Sequence, residues 1–119
     1  MESGSLTFGT SYGVLMKVVE IVPRERTRLY GALVAKEAAI QKSGRGTYVR
    51  SGRKTHDSAR WRHKRYKGTV LLKRSPSEVV TAKVRASTAD DERKLLSSFL
   101  GFVDRHSGDQ VVSITIHYR

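Results

Sequence analysis

The hydrophobic pattern predicts a strand followed by a helix in the first third of the chain. Residues 14–22 are mostly apolar and β-branched, which is typical of a strand covered on at least one face. Pro23 ends this run, and proline suits the first turn of a helix because its missing N–H needs no partner there. Apolar residues then recur at helical spacing until Gly44, which predicts a helix over about 24–42.

The remainder of the chain predicts three more strands and a second helix. Residues 69–74 and 79–85 have strand character and are joined by Ser75–Pro76–Ser77, a connection typical of a hairpin. Residues 88–106 begin with a threonine and an aspartate at capping-box spacing and continue with a broad apolar stripe, which predicts a helix. Residues 111–118 alternate between apolar and polar side chains, as a half-buried strand does.

The order strand, helix, strand, strand, helix, strand predicts an α+β fold. We expect a ferredoxin-like βαββαβ sandwich, a four-stranded antiparallel sheet with both helices on one face. Residues 13–119 would form this single domain after a flexible N-terminal lead-in over 1–12. The segment 44–67 is expected to be a long basic loop before the second strand, although 46–50 is compatible with a short strand.

The polar members of the strand alternations are expected on the sheet face that the helices leave open. These residues are Lys17, Lys73, Thr81, Lys83, Arg85, Ser113, Thr115 and His117. Glu20 is the single acid that would join them. This face is either a basic binding surface or the ordinary solvated face of an antiparallel sheet.

Length and composition exclude several classes of protein. The 119 residues fit one domain, and no apolar stretch approaches the roughly 18 to 20 residues of a membrane span. The first residues lack the pattern of a secretory signal, and the chain has no cysteine for disulfides or thiolate metal sites. We therefore expect a cytoplasmic protein that binds no membrane and carries neither a metal nor a cofactor.

Positive charge is concentrated in one segment. The chain has 23 basic and 11 acidic residues and a net charge of +12. Residues 42–67 contain ten of the basic residues and one acid, Asp57, so this segment accounts for most of the excess. A local cluster of cations predicts a local site for a polyanion.

Aromatic residues interleaved with these charges favour nucleic acid as the polyanion. Cations bind phosphates, and unpaired bases stack on aromatic rings. The primary hypothesis is a module for RNA or single-stranded nucleic acid that clamps phosphates through the loop 44–67. Its predicted contacts are Arg50, Arg53, Lys54, Arg60, Trp61, Arg62, Lys64, Arg65, Tyr66 and Lys67, with Lys83 and Arg85 from the sheet. The aromatic residues would alternatively anchor the segment to the core.

Two other functions are compatible with the same segment. His56, Asp57 and His63 are titratable groups suited to acid–base catalysis, so a metal-independent or metal-assisted nuclease is one alternative. Their spacing matches no standard metal site. The other alternative is an adaptor whose basic loop docks on an acidic protein partner and becomes ordered on binding. The last strand would also be available for self-association if it lies at a sheet edge.

Overall fold

Residues 14–118, which the computed structural model describes, form a six-stranded sheet and two helices. In chain order the elements are β1 (Leu15–Pro23), α1 (Leu29–Lys42), β2 (Tyr48–Arg50), β3 (Ser58–His63), β4 (Thr69–Arg74), β5 (Val80–Ala86), α2 (Ala89–Ser107) and β6 (Val111–Tyr118). The strand order across the sheet is β2-β3-β4-β5-β1-β6, and each strand is antiparallel to its neighbours.

The expected four-stranded, ferredoxin-like sheet was wrong, because β2 and β3 extend the sheet to six strands. The expected long loop over 44–67 was wrong for the same reason, although the short strand within 46–50 is confirmed as β2. Residues 58–63 do follow a period of two, with Ala59 and Trp61 pointing inward. The outward positions are arginines, and this density of charge makes the sequence of the strand resemble that of a solvated loop.

Helix α1 begins later than the hydrophobic pattern predicts. Pro23 is the last residue of β1, opposite Val111, and does not open the helix. Residues 24–28 form a turn in which Arg26 has a positive φ of 64°. Helix α2 begins as expected, since the Thr88 side chain accepts a hydrogen bond from the Asp91 N–H at 3.1 Å.

Both helices pack on one face of the sheet and bury it. The strand residues of this buried face are Val19, Ile21, Tyr48, Ala59, Trp61, Val70, Leu72, Val80, Ala82, Val84 and Ala86. The helices contribute Leu29, Tyr30, Leu33, Val34, Leu95, Leu96, Phe99, Phe102 and Val103 to the same core. Residues at the intervening strand positions point away from the helices, as the two-residue period of a strand requires.

Lys17 lies on the buried side of the sheet, so its expected place on the open face was wrong. It shares a face with Val19 and pairs in register with Val84, which is fully buried. Its ammonium group forms an ion pair with Glu92 of α2. The other residues expected on the open face do lie there. Strand β1 is apolar on both faces, so its sequence alone does not show which face the lysine shares.

Neither helix within residues 14–118 is long and apolar enough to cross a bilayer. The expected lead-in over 1–12 falls outside the residues that the structure describes.

Candidate functional site

Strand β3 divides the basic segment between the two faces of the sheet. Ala59 and Trp61 point into the core and are 2% and 0% exposed. Arg60 and Arg62 are exposed on the opposite face. Buried anchors therefore alternate with the arginines, and these arginines are held by a paired strand and not by a loop.

The face opposite the helices carries five basic side chains from three adjacent strands, and we call it the basic face. They are Arg60 and Arg62 of β3, Lys73 of β4, and Lys83 and Arg85 of β5. Lys83 is half-buried and the other four are exposed. Glu20 of β1 is the one acid that the described strands place on this face. The surface around β4 is therefore strongly positive.

An uncharged position of β4 lies between two arginines. Thr69 pairs in register with Arg62 on one side and with Arg85 on the other. Because neighbouring strands lie about 4.8 Å apart, the Cα atoms of the two arginines are separated by about 10 Å. Thr69 is half-buried, so the two arginine positions flank a partly buried neutral residue.

The next row of the basic face repeats this arrangement. Leu71 is half-buried and pairs with Arg60 on one side and Lys83 on the other. It lies about 6.7 Å further along β4 than the preceding row. The two rows therefore place cations on both sides of an uncharged floor, and Lys73 follows on β4 at one end of it.

Acids of the described chain do not neutralise this face. The ion pairs found within residues 14–118 join Lys17 to Glu92, Arg74 to Glu78, and Asp90 to both Arg93 and Lys94. None of them includes a residue of the basic face. Its cations are therefore available to an anion from outside this part of the chain.

Trp61 and Tyr48 anchor the basic segment to the core. The Trp61 ring contacts those of Tyr48, Phe99 and Phe102 at centroid distances of 5.4, 6.3 and 5.3 Å. Tyr48 is 2% exposed, and its hydroxyl is 2.9 Å from the Ser98 hydroxyl. Burial raises the pKa of Tyr48 to about 12. Trp61 is fully buried and has no face open to a base, so the stacking role considered for it has no surface in this fold.

Tyr66 lies in the turn between β3 and β4 and is half-buried. Its ring stacks on the His63 imidazole, with centroids 4.4 Å apart and planes inclined by 23°. The charged ends of Arg65 and Lys94 each lie 5.7 Å from the centre of the Tyr66 ring. One face of the tyrosine is therefore occupied by histidine, and two cations lie within cation–π distance of the ring.

The other predicted contacts are distributed around the sheet. Arg50 lies on the helix side of β2, opposite Trp61. Arg53 and Lys54 are exposed in the connection between β2 and β3. The turn that contains Tyr66 also carries Lys64, Arg65 and Lys67, all exposed. The structure thus brings Arg60, Arg62, Lys83 and Arg85 to one face and leaves the other predicted cations outside it.

The three residues considered for catalysis do not meet. His56 and Asp57 precede β3, and His63 ends it, which separates Asp57 from His63 by about 20 Å of extended strand. The Asp57 carboxylate accepts a hydrogen bond from the Thr55 hydroxyl at 2.9 Å. Within residues 14–118 no three His, Cys, Asp or Glu side chains are grouped so as to hold a metal ion.

His63 has a structural role in the turn. Its Nδ1 atom accepts hydrogen bonds from the backbone N–H groups of Arg65 at 2.9 Å and Tyr66 at 3.2 Å. Burial, followed by the nearby charge of Arg65, lowers the pKa of His63. Both effects favour the neutral imidazole, which is the form that can accept these bonds.

Comparison with known proteins does not assign the chain to a family. No protein-family model matches it, and a search of curated proteins finds no significant match.

Proposed function

We propose that the protein binds nucleic acid through the basic face, with RNA or another single strand as the ligand. The observation that carries the proposal is the register of β3, β4 and β5, which aligns two rows of cations on either side of β4. Lysine and arginine contacts to phosphates release counterions, and this gives affinity that does not depend on base sequence.

Uncharged positions among the cations favour a single strand. Leu71 lies between Arg60 and Lys83. In the neighbouring row, Met16 of β1 pairs in register with Arg85. Unpaired bases and sugars expose apolar surface that such positions can cover, whereas a duplex hides the faces of its bases. The cations also lie on a sheet and not on a helix of the kind that enters a major groove.

The shape of the site indicates binding with little sequence preference. The described strands place no aromatic ring on the basic face apart from the imidazole of His117 at the far edge. Base stacking on tyrosine, tryptophan or phenylalanine, which strengthens many single-strand sites, is therefore not offered by this part of the chain. Phosphate contacts supply most of the affinity in this proposal.

A binding titration with a charge-neutralised variant tests the proposal. The variant R60Q/R62Q/K83Q removes three cations of the basic face and should bind a labelled oligouridine more weakly. Each phosphate contact to a single strand contributes about 0.7 to the slope of log affinity against log salt, so the slope should fall by about 2. Fluorescence anisotropy at several NaCl concentrations measures both quantities.

A second variant controls for net charge. R28Q/K36Q/K42Q removes the same charge from exposed residues at or within α1, away from the basic face. It should retain most of the affinity and of the salt slope. Equal losses in both triple variants would overturn the mapping. Binding to an acidic protein without binding to RNA would instead identify the face as a protein-docking surface.

A further inference from the structure

A cavity of about 210 Å³ lies at the β2 end of the molecule, on the helix side of the sheet. It is formed by the last turns of both helices and by the connection that leads into β2. Its volume is below the roughly 300–1,000 Å³ of pockets for drug-sized ligands. It has the size for one ring system and not for a longer piece of chain.

Glu37 of α1 gives this cavity a buried acceptor. The residue is 3% exposed and lines the cavity, and no donor within residues 14–118 reaches its Oε2 atom. Burial raises the pKa of Glu37, while the positive charge of Arg50 opposes the rise. A buried carboxylate oxygen without a donor is unfavourable, and a ligand that donates to it would remove this cost.

The other walls include apolar and aromatic side chains. Ile40, Tyr48 and Phe102 line the cavity beside the carboxylate, and the Tyr48 hydroxyl is already engaged by Ser98. The His106 imidazole lies against Phe102 with ring centroids 4.7 Å apart and planes inclined by 62°. These walls suit a planar ring, because aromatic and imidazole groups are common partners of splayed-out bases.

Two arginines complete the lining. Arg45 and Arg105 line the cavity and are both exposed, so their guanidinium groups lie where the cavity meets solvent. They disfavour a cationic ligand and favour one that carries a phosphate. The lining is therefore complementary to a ligand with a planar neutral ring, which donates hydrogen bonds at one end and carries an anionic group at the other.

Among nucleobases, guanine best fits a carboxylate acceptor. Its N1–H and amino N–H lie side by side on one edge and can donate to the two oxygens of a carboxylate. Adenine and cytosine offer one amino group beside an acceptor, which would face the second carboxylate oxygen. Uracil offers one N–H between two carbonyls. The base edges therefore differ in the number of N–H groups that they present to a carboxylate, and guanine alone presents two on one edge.

We propose that this cavity binds a guanine base, either of a free nucleotide or of an unpaired residue in a bound strand. The strand-bound case rests on the proposed function, and the free-nucleotide case does not. The site would add base preference to a protein whose basic face has little. It is separate from the basic face, since it lies in the helix layer on the other side of the sheet.

Binding of the four mononucleotides by the wild-type protein is the first test. We expect GMP to bind roughly tenfold to hundredfold more tightly than AMP, CMP or UMP, which is the usual discrimination of one bidentate contact. A parallel titration compares an eight-residue oligouridine with the same strand carrying one central guanosine. A preference confined to the strand assigns the base to a bound nucleic acid, and a preference for GMP assigns it to a free nucleotide as well.

The variant Glu37→Gln tests the acceptor, with Glu25→Gln at an exposed position as the control. Glu37→Gln should abolish the guanine preference and leave oligouridine binding and its salt slope unchanged. Glu25→Gln should change neither. No guanine preference in either titration, or a preference that survives Glu37→Gln, would overturn the inference. Failure of the wild-type protein to bind oligouridine would instead count against the basic face as a nucleic-acid site.

Discussion

Arg62 and Arg85 are the two register partners of Thr69, one from each side. This relationship places two arginines, far apart in the sequence, on one face of the sheet with their Cα atoms about 10 Å apart. It depends on β3 being a strand, because the same arginine in a loop would have no fixed register. Pairing of β3 with β4 therefore turns a basic sequence segment into an ordered surface.

Trp61 should report a buried environment and should not respond directly to nucleic acid. The ring is fully buried against Tyr48, Phe99 and Phe102. We expect blue-shifted emission that acrylamide quenches poorly, with little change when oligouridine saturates the protein. Strong quenching by the oligonucleotide, with binding verified by anisotropy, would contradict the proposed position of the ligand on the opposite face.

Gly68 and Gly31 should respond in opposite directions to replacement by alanine. Gly68 has φ of 142°, and a Cβ there would overlap the Arg85 carbonyl oxygen and the Leu95 side chain. Gly68→Ala should therefore reduce the free energy of unfolding by roughly 3 kcal/mol. Gly31 lies exposed in α1 with open space around it, so Gly31→Ala should add roughly 0.5–1 kcal/mol.

Urea denaturation of both glycine variants measures these changes. Equal effects would show that the close approach of Gly68 to β5 is absent in solution. A destabilised Gly31→Ala would show that the exposed face of α1 packs against something in solution.

The sequence predicts α2 and four of the six strands well, because their periodicity and their boundary residues are local signals, and it allows β2 only as an alternative to a loop. It misses β3 because Arg60 and Arg62 occupy the outward positions and make the strand resemble a solvated loop. It misplaces Lys17 because β1 is apolar on both faces, and only pairing with β5 decides which face is buried. The alternation of Ala59 and Trp61 with arginines was the signal that could have identified β3.

The candidate site is predictable in composition but not in geometry. The basic residues are evident from the sequence, and Lys83 and Arg85 are correctly expected on the open face. That Arg60 and Arg62 join them depends on strand pairing across β4. The Glu37 cavity has no local signal at all, because its lining comes from α1, α2 and the connection before β2.

Removal of Lys17 from its ion pair with Glu92 should destabilise the protein, because the carboxylate would stay buried without its cation. Glu92 is 4% exposed, and its partner lies on the buried side of β1. Lys17→Met removes the cation and leaves the carboxylate buried, so the free energy of unfolding should fall by about 3 kcal/mol, the lower end of the range for a broken buried pair. Thermal or urea denaturation at neutral pH measures the loss.

Lys94→Met is the matched control for this pair. Lys94 pairs with Asp90 at 2.9 Å, but both side chains are about half exposed, and Arg93 also pairs with Asp90. Its loss should have little effect on the free energy of unfolding, because exposed ion pairs contribute little to stability. Similar costs for the two variants would mean that Lys17 and Glu92 are solvated in solution.

The stability gained by Glu37→Gln should depend on pH. Burial raises the pKa of Glu37 in the folded protein above its ordinary value of 4.5. Protonation is then favoured in the folded state, so the wild type loses stability relative to the variant as pH rises from about 4.5 through the folded pKa. The advantage of Glu37→Gln should grow between pH 4 and 7, to on the order of 1 kcal/mol.

Urea denaturation of both proteins at several pH values tests this dependence. Glu25→Gln, at an exposed position, should show no such trend. A constant difference between Glu37→Gln and the wild type would mean that Glu37 is solvated or finds a donor in the free protein.

The NMR response of arginine side chains to a bound strand tests the position of the nucleic-acid interface. The Nε–Hε signals of Arg60, Arg62 and Arg85 should shift on saturation with oligouridine, because these groups lie on the basic face. Those of Arg28 and Arg93, which belong to the helix layer, should stay in place. Shifts confined to Arg28 and Arg93, with Arg60, Arg62 and Arg85 unmoved, would contradict the basic face as the nucleic-acid interface.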